Sequence, residues 1–126
     1  MNEFMRDWLT EIAEKNEIDD DHDWGYQVRM VNESGYCGKF LVLENHDRGG
    51  YHYHEKKKET FIVLRGHVTV RVEGSEGQIV FSKTLERGEQ VTIQPLERHW
   101  MKAFSTPSIV LEVSTHDDDE DTYYVQ

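Results

Sequence analysis

Two histidines and a glutamate near the middle of the chain have the residue types and the spacing of metal ligands. His52 and His54 are separated by one residue, so their side chains point to the same face if the segment is a β-strand. Glu59 follows a short polar stretch and shares its strand parity with Phe61 and Val63. It should therefore point into an apolar interior, where an unpaired carboxylate is costly and metal coordination removes that cost. Two imidazoles and one carboxylate predict a metal site.

A fourth ligand is predicted at His99, which follows Pro95 and begins a strand with Met101 and Ala103 on the same face. Three imidazoles and one carboxylate suit one divalent transition metal ion, and manganese, iron, zinc, nickel and copper all remain open. The remaining histidines are interpreted as surface or hydrogen-bonded residues: His22, His46, His67 and His116.

A helix followed by many short strands would carry these side chains. The helix is predicted over residues 2–17, with Asn2 as its cap, from apolar residues three and four apart: Phe4, Met5, Trp8, Leu9, Ile12 and Ala13. Residues 19–23 are interpreted as an acidic linker. Beyond it, period-two alternation between turn residues predicts strands at 24–31, 38–44, 50–54, 60–65, 67–73, 78–85, 89–93, 99–104 and 108–114. This pattern is typical of an all-β sandwich or barrel.

Length and charge narrow the classes of function. The chain has 126 residues and a net charge of -11, which fits one domain and disfavours nucleic-acid binding, because phosphates need a basic surface. Acidic residues cluster at 19–23 and 117–121, and both clusters are interpreted as solvated flanks. Since the chain has no long apolar run and no signal peptide, no membrane partner is expected and a cytoplasmic location is predicted.

The predicted ligands resemble the first sequence motif of the cupin superfamily, in which H-x-H is followed by a glutamate and then a glycine. His52, His54, Glu59 and Gly66 fit this spacing. Gly88, Pro95 and His99 are similar to the second motif, although Glu97 and Ala103 replace its glycine and asparagine. The resemblance covers residues 37–115 and implies one all-β cupin domain over residues 1–126. Its parts would be a helix at 1–18, a double-stranded β-helix (jelly-roll) barrel at 24–115 and an acidic tail at 116–126.

Residues 109–123 look like the closing strand and acidic tail of the C-terminal cupin domain of type II mannose-6-phosphate isomerases. This likeness implies a metal-dependent isomerase or epimerase of a sugar or sugar phosphate. Glu112 and Lys39 are the candidate catalytic residues, and Glu44 and Arg48 could also contact substrate. Parity turns Glu112 outward unless a bulge intervenes, since Ile109, Leu111 and Val113 look like inward residues. The lysines at 56–58 are interpreted as a solvated loop, with phosphate attraction as the alternative.

Two other functions remain open from the same residues. An iron-dependent dioxygenase could use three histidines and one glutamate, because this set leaves coordination positions free for oxygen and substrate. A cupin without catalysis could bind a small sugar-like ligand around its metal. A symmetric homodimer is also expected, because the helix stripe around Trp8 could cover an exposed sheet edge.

Overall fold

One helix and eleven strands make up the fold in the computed structural model, which describes residues 3–126 and the side chains from Trp8 onward. The elements are α1 (Glu3–Glu14), β1 (Glu17–His22), β2 (Gly25–Asn32), β3 (Cys37–Leu43), β4 (His52–Tyr53), β5 (Glu59–Arg65), β6 (Val68–Glu73), β7 (Ile79–Leu85), β8 (Gln90–Ile93), β9 (Arg98–Ala103), β10 (Ser108–Ser114), a 3-10 helix (Asp119–Asp121) and β11 (Tyr123–Tyr124).

The strands form two antiparallel sheets with the hydrophobic core between them. One sheet has the order β1-β2-β3-β10-β5-β8, and the other has the order β11-β4-β9-β6-β7. Alternation places every second side chain in the core, as Phe61 and Val63 of β5 and Val70 and Val72 of β6 illustrate. The predicted all-β jelly-roll barrel with one N-terminal helix is confirmed.

Helix α1 packs on the outer face of the six-stranded sheet. Leu9 is 2% exposed and lies against Val42 and Ile109, and the Trp8 ring meets Phe40 edge to face at 5.5 Å between centroids. The helix ends at Glu14 rather than at residue 17. The predicted cap Asn2 and the side chains of Phe4 and Met5 lie outside the described part of the chain. Within residues 3–126, no helix is both long and apolar enough to cross a membrane.

Both acidic segments belong to the fold, which corrects the prediction of a linker and a solvated tail. Residues 17–22 form β1, an edge strand that pairs Ile18 with Val28 and Asp19 with Gln27. Its charges are tolerated because one side of an edge strand stays in contact with water. The C-terminal segment folds back over the barrel through the 3-10 helix and β11, and β11 pairs with β4.

The inward face of β10 is the opposite of the predicted one. Glu112 pairs with Lys39 of β3, and both side chains are buried, whereas Val113 is 42% exposed. Ile109 is buried on the outer face beneath α1 rather than in the barrel. Because the helix makes the outer face of this sheet apolar too, hydrophobicity alone does not distinguish the two faces of β10.

Candidate metal centre

Strands β4, β5 and β9 bring the four predicted ligands together. His52 of β4 pairs with His99 of β9, His54 follows β4, and Glu59 begins β5. One nitrogen or oxygen atom from each residue lies within 4.8 Å of the others. The His52 ring lies 4.3 Å from that of His99 and 5.0 Å from that of His54, between centroids. The strand parity deduced for His52 and His54 therefore places them as expected.

Backbone carbonyl groups orient all three imidazoles in the same manner. The Nδ1–H of His52 donates to the carbonyl of Gly50 at 2.6 Å, and that of His54 donates to the carbonyl of Asp121 at 2.8 Å. The Nδ1–H of His99 donates to the carbonyl of Glu97 at 3.1 Å. With the proton on Nδ1, each Nε2 keeps a free lone pair. Carbonyl groups that bind the second ring nitrogen in this way fix the tautomer and the orientation that metal-binding histidines need.

The donor set fits a divalent metal ion. Glu59 Oε1 lies 2.8 Å from His99 Nε2 and 3.5 Å from His54 Nε2. The geometry of the closer contact is not that of a hydrogen bond, and both of its atoms are buried without a hydrogen-bond partner among the described residues. Two buried acceptors that face each other are costly. A cation between them would satisfy both.

The surroundings of His52 and Glu59 favour the protonation states that bind metal. Burial lowers the pKa of His52 to about 4, so this imidazole is neutral at pH 7, as a metal ligand must be. Burial alone would raise the pKa of Glu59, but His54, His99 and Lys57 lower it well below its usual range. His54 differs, because the adjacent Glu59 carboxylate raises its pKa although burial opposes a charge there, and a metal ion would replace the proton that this shift favours. The same carboxylate would attract a metal cation.

Lys57 is buried beside the four ligands, so the interpretation of 56–58 as a solvated loop is wrong for this residue. Its side chain is 4% exposed, and its Nζ lies 3.0 Å from Glu59 Oε2, 3.0 Å from Glu112 Oε2 and 2.9 Å from Asp117 Oδ1. Burial opposes its charge, but these carboxylates raise its pKa above the usual range. A signal existed in the sequence, because Lys57 has the same parity as Glu59 in an extended chain.

Glu112 and Lys39, the candidate catalytic residues, both line the same cavity as the ligands. Lys39 Nζ lies 3.7 Å from Glu112 Oε2. Burial and the charge of Glu59 raise the pKa of Glu112, although Lys39 and Lys57 act against this shift. A buried carboxyl group with a raised pKa in a cavity is suited to accept and donate a proton. Glu44 and Arg48 lie outside the cavity wall, and the Arg48 guanidinium lies over the Trp100 ring.

Asp117, from the segment interpreted as a solvated flank, is instead a buried anchor for the cations of this cavity. Its Oδ2 lies 2.9 Å from Arg29 and 3.0 Å from Lys39, and its Oδ1 lies 2.9 Å from Lys57. Burial alone would raise its pKa, but Lys39 and Lys57 lower it well below the usual range. Nothing in the acidic run of the sequence distinguishes Asp117 from its exposed neighbours.

Strands β1 and β2 contribute a polar part of the cavity wall that the sequence did not predict. Asp19 Oδ2 accepts a hydrogen bond from Gln27 Nε2 at 2.8 Å and lies 2.9 Å from His22 Nε2. The His22 ring stacks on Trp24 at 4.7 Å between centroids. The cavity has a volume of about 210 Å³. A cavity of this size, with polar groups converging on it, is suited to a small polar molecule.

Comparisons with known proteins agree with this geometry. The family model described as Cupin domain matches residues 39–114. A D-lyxose/D-mannose isomerase from Thermosediminibacter oceani is 33% identical over 111 residues, covering 71% of this chain and 61% of that protein. A D-lyxose ketol-isomerase from Cohnella laeviribosi is 31% identical over 114 residues, covering 74% of this chain and 63% of that protein. The chain thus spans less than two thirds of the length of these relatives.

A solved structure supports the fold independently. KdgF from Halomonas sp. superposes with a TM-score of 0.73 at 16% identity, covering 86% of this chain and 94% of that one. At this identity the likeness concerns the fold alone. The family model, by contrast, matches more than half of the sequence, including all four clustered histidine and glutamate residues. The chain therefore belongs to the cupin family.

Proposed function

We propose that this chain is a metal-dependent isomerase that interconverts an aldose and its 2-ketose. The observation that carries the proposal is one cavity that contains both a four-ligand cluster and a buried carboxyl group with a raised pKa. His52, His54, Glu59 and His99 would hold one divalent transition metal ion, with manganese, iron, zinc and nickel as candidates. The names of the two curated relatives support sugar isomerisation.

Glu112 is the group that we assign to move the proton between the two neighbouring carbons of the sugar. When bound, the metal ion would supply a Lewis acid that polarises the sugar carbonyl. Glu112 takes the proton from C2 as a carboxylate and returns it to C1 as a carboxylic acid. The hydroxyl proton on O2 passes to O1 in the same conversion, so that C2 becomes the carbonyl carbon and C1 carries the hydroxyl group. The contacts of its Oε2 with Lys57 and Lys39 hold the carboxyl group in place, which leaves Oε1 as the oxygen for the substrate proton.

Lys57 links the proposed base to the proposed metal centre. Its ammonium group contacts Glu59 on one side and Glu112 on another, at 3.0 Å in both cases. This bridge separates two buried carboxylates that would otherwise repel each other. It also fixes the position of the base relative to a ligand. Lys57 is therefore a positioning residue in this proposal, while Lys39 supports Glu112 from the adjacent strand.

The charges of the cavity favour an unphosphorylated sugar over a sugar phosphate. Among the described residues, the cavity wall has two lysines, Lys39 and Lys57, and carboxylates hold both. The same wall includes five acidic residues: Asp19, Glu59, Glu112, Asp117 and Asp119. A phosphate group needs cationic or N–H donors that other groups do not already occupy. The resemblance to mannose-6-phosphate isomerases stays a prediction from the sequence. Our proposed substrate is an aldose without a phosphate group.

Metal-dependent ketose formation tests the proposal. The protein would be stripped with a chelator and reloaded separately with Mn²⁺, Fe²⁺, Zn²⁺ or Ni²⁺. Each sample would then be assayed with D-lyxose, D-mannose and mannose 6-phosphate. We expect ketose from at least one free aldose and much less from the phosphate. No ketose and no exchange of the C2 proton with solvent, from a metal-loaded sample, would refute the proposal. Oxygen consumption by the iron form would favour a dioxygenase, and thermal stabilisation by a sugar without turnover would favour a binding protein.

A further inference from the structure

Asp121 makes four hydrogen bonds to the short segment that joins two of the proposed ligands. It lies at the end of the 3-10 helix and is 7% exposed, although it belongs to an acidic run. Its carboxylate accepts the backbone N–H groups of Glu55 at 2.9 Å and of Lys56 and Lys57 at 3.1 Å each. Its backbone carbonyl accepts the Nδ1–H of His54 at 2.8 Å. All four donors thus belong to residues 54–57.

We infer that Asp121 is a positioning residue for the proposed metal centre. Residues 54–58 join β4 to β5, and at the two ends of this turn the carbonyl groups of His54 and Lys58 accept backbone hydrogen bonds. Between these ends, the N–H groups of residues 55–57 are bound by the Asp121 carboxylate. Three N–H groups that converge on one carboxylate fix this turn through charge-assisted hydrogen bonds. The turn determines where Glu59 and Lys57 lie relative to His54, and the carbonyl of Asp121 determines the direction of the His54 ring. This inference rests on the proposed function, because it concerns residues assigned there to metal binding.

Asp121 is itself held firmly enough to perform this role. Its N–H donates to the carbonyl of Asp118 at 2.9 Å, which closes the 3-10 turn. On its other side, β11 pairs with β4, and the rings of Tyr123 and Tyr53 stack at 5.2 Å between centroids. The residue is therefore anchored in sequence on both sides. Without such anchors, the tail would move with the turn rather than position it.

Metal affinity of the Asp121→Asn variant tests the inference, with Glu120→Gln as the matched control. Asparagine keeps one acceptor oxygen but places an NH₂ group against the remaining backbone donors. Glu120 is the exposed neighbour and loses the same charge. Competition with a chelator would give the Mn²⁺ affinity of each full-length protein. We expect Mn²⁺ binding about 10-fold weaker or more in Asp121→Asn, and unchanged binding in Glu120→Gln. The absorption spectrum of the Co²⁺ form should also change in Asp121→Asn alone.

The outcomes separate this inference from the proposed function. If folded Asp121→Asn binds Mn²⁺ as tightly as the wild type and shows the same Co²⁺ spectrum, the inference is overturned while the metal centre stands. If the wild type binds no metal ion, the proposed function and this inference are overturned together.

A measurement on the wild type decides the case if Asp121→Asn does not fold. Coupling between two sites is reciprocal, so Mn²⁺ should stabilise the turn that Asp121 holds. The amide hydrogens of Glu55, Lys56 and Lys57 should therefore exchange about 10-fold more slowly with Mn²⁺. The amide of Gly77, in the distant turn between β6 and β7, should be unaffected. Unchanged exchange at residues 55–57 would overturn the inference.

Discussion

Replacing Asp117 by asparagine should lower the free energy of unfolding by about 3 kcal/mol at pH 7, because three cations share this carboxylate. Its two oxygens lie 2.9 to 3.0 Å from the side chains of Arg29, Lys39 and Lys57. The asparagine has no charge and points an NH₂ group toward cations. Removing one member of a buried ion pair costs about 3–5 kcal/mol, since the remaining charge stays buried without its partner.

The contacts that remain in the Asp117→Asn variant place the expected loss near the lower end of that range. Lys57 keeps Glu59 and Glu112, each at 3.0 Å. Among the side chains from Trp8 onward, Lys39 keeps only Glu112, at 3.7 Å, so it is the cation whose charge is least compensated. Arg29 keeps a weak contact with Glu17 at 3.5 Å and is partly in water, where the loss of a partner costs little.

The size of this loss should depend on pH in a defined direction. Burial opposes ionisation of Asp117, but Lys39 and Lys57 lower its pKa well below the usual range. A carboxyl group with a lowered native pKa stabilises the fold above its unfolded pKa of about 3.9, and this stabilisation is lost as the pH falls toward the native pKa. The difference between wild type and Asp117→Asn should therefore shrink by about 1 kcal/mol between pH 7 and pH 3.

Urea denaturation in the presence of a chelator would measure both effects without a contribution from metal binding. Asp20→Asn is the control, because Asp20 is exposed on β1 and the chemical change is the same. Its stability should stay within about 0.5 kcal/mol of the wild type. Equal stability of the two variants at pH 7 would refute the role of Asp117. A stability difference as large at pH 3 as at pH 7 would refute the lowered pKa.

Three further substitutions test the ligands, the base and the helix. Elemental analysis should find little metal in His52→Ala and the wild-type amount in the control His67→Ala, whose histidine lies outside the cluster. Metal retained by His52→Ala would contradict the proposed site. Glu112→Gln should bind metal normally but have a kcat about 100- to 10,000-fold lower, and an unchanged kcat would exclude Glu112 as the base. Leu9→Ala should lower the free energy of unfolding by about 2–4 kcal/mol in urea titrations, and a loss below about 1 kcal/mol would mean that α1 contributes little.

The cluster of His52, His54, Glu59 and His99 could be predicted from the sequence because local rules place three of its members. Two-residue spacing puts both histidines of β4 on one face, and the burial of Glu59 follows from its parity with Phe61. His99 is less local, since its place depends on the pairing of β9 with β4. Nine of the eleven strands also followed from alternation, with ends that differ by at most two residues from those predicted. The other two, β1 and β11, lie in the segments that were interpreted as a linker and an acidic tail.

The surroundings of the cluster could not be predicted in the same way, because they depend on residues distant in sequence. Arg29 and Asp117 form an ion pair although they are 88 residues apart in sequence. Asp121 accepts a hydrogen bond from the backbone N–H of Lys57, which is 64 residues away. Runs of similar charges do not show which member folds inward. The orientation of Glu112 was hidden for another reason, since the helix α1 makes the outer face of its strand apolar.

This division between local and distant residues bears on how a cupin acquires its reaction. The ligand motif is encoded within short stretches, so it can recur in many chains that share the fold. Glu112 and Asp117 come from β10 and the segment that follows it, and they lie in the same cavity as the ligands. A change in that C-terminal region could therefore alter the proposed proton-transfer group while the proposed metal ligands stay the same. The fold and the ligand motif together do not determine which reaction such a chain catalyses. That reaction depends on the residues around the ligands.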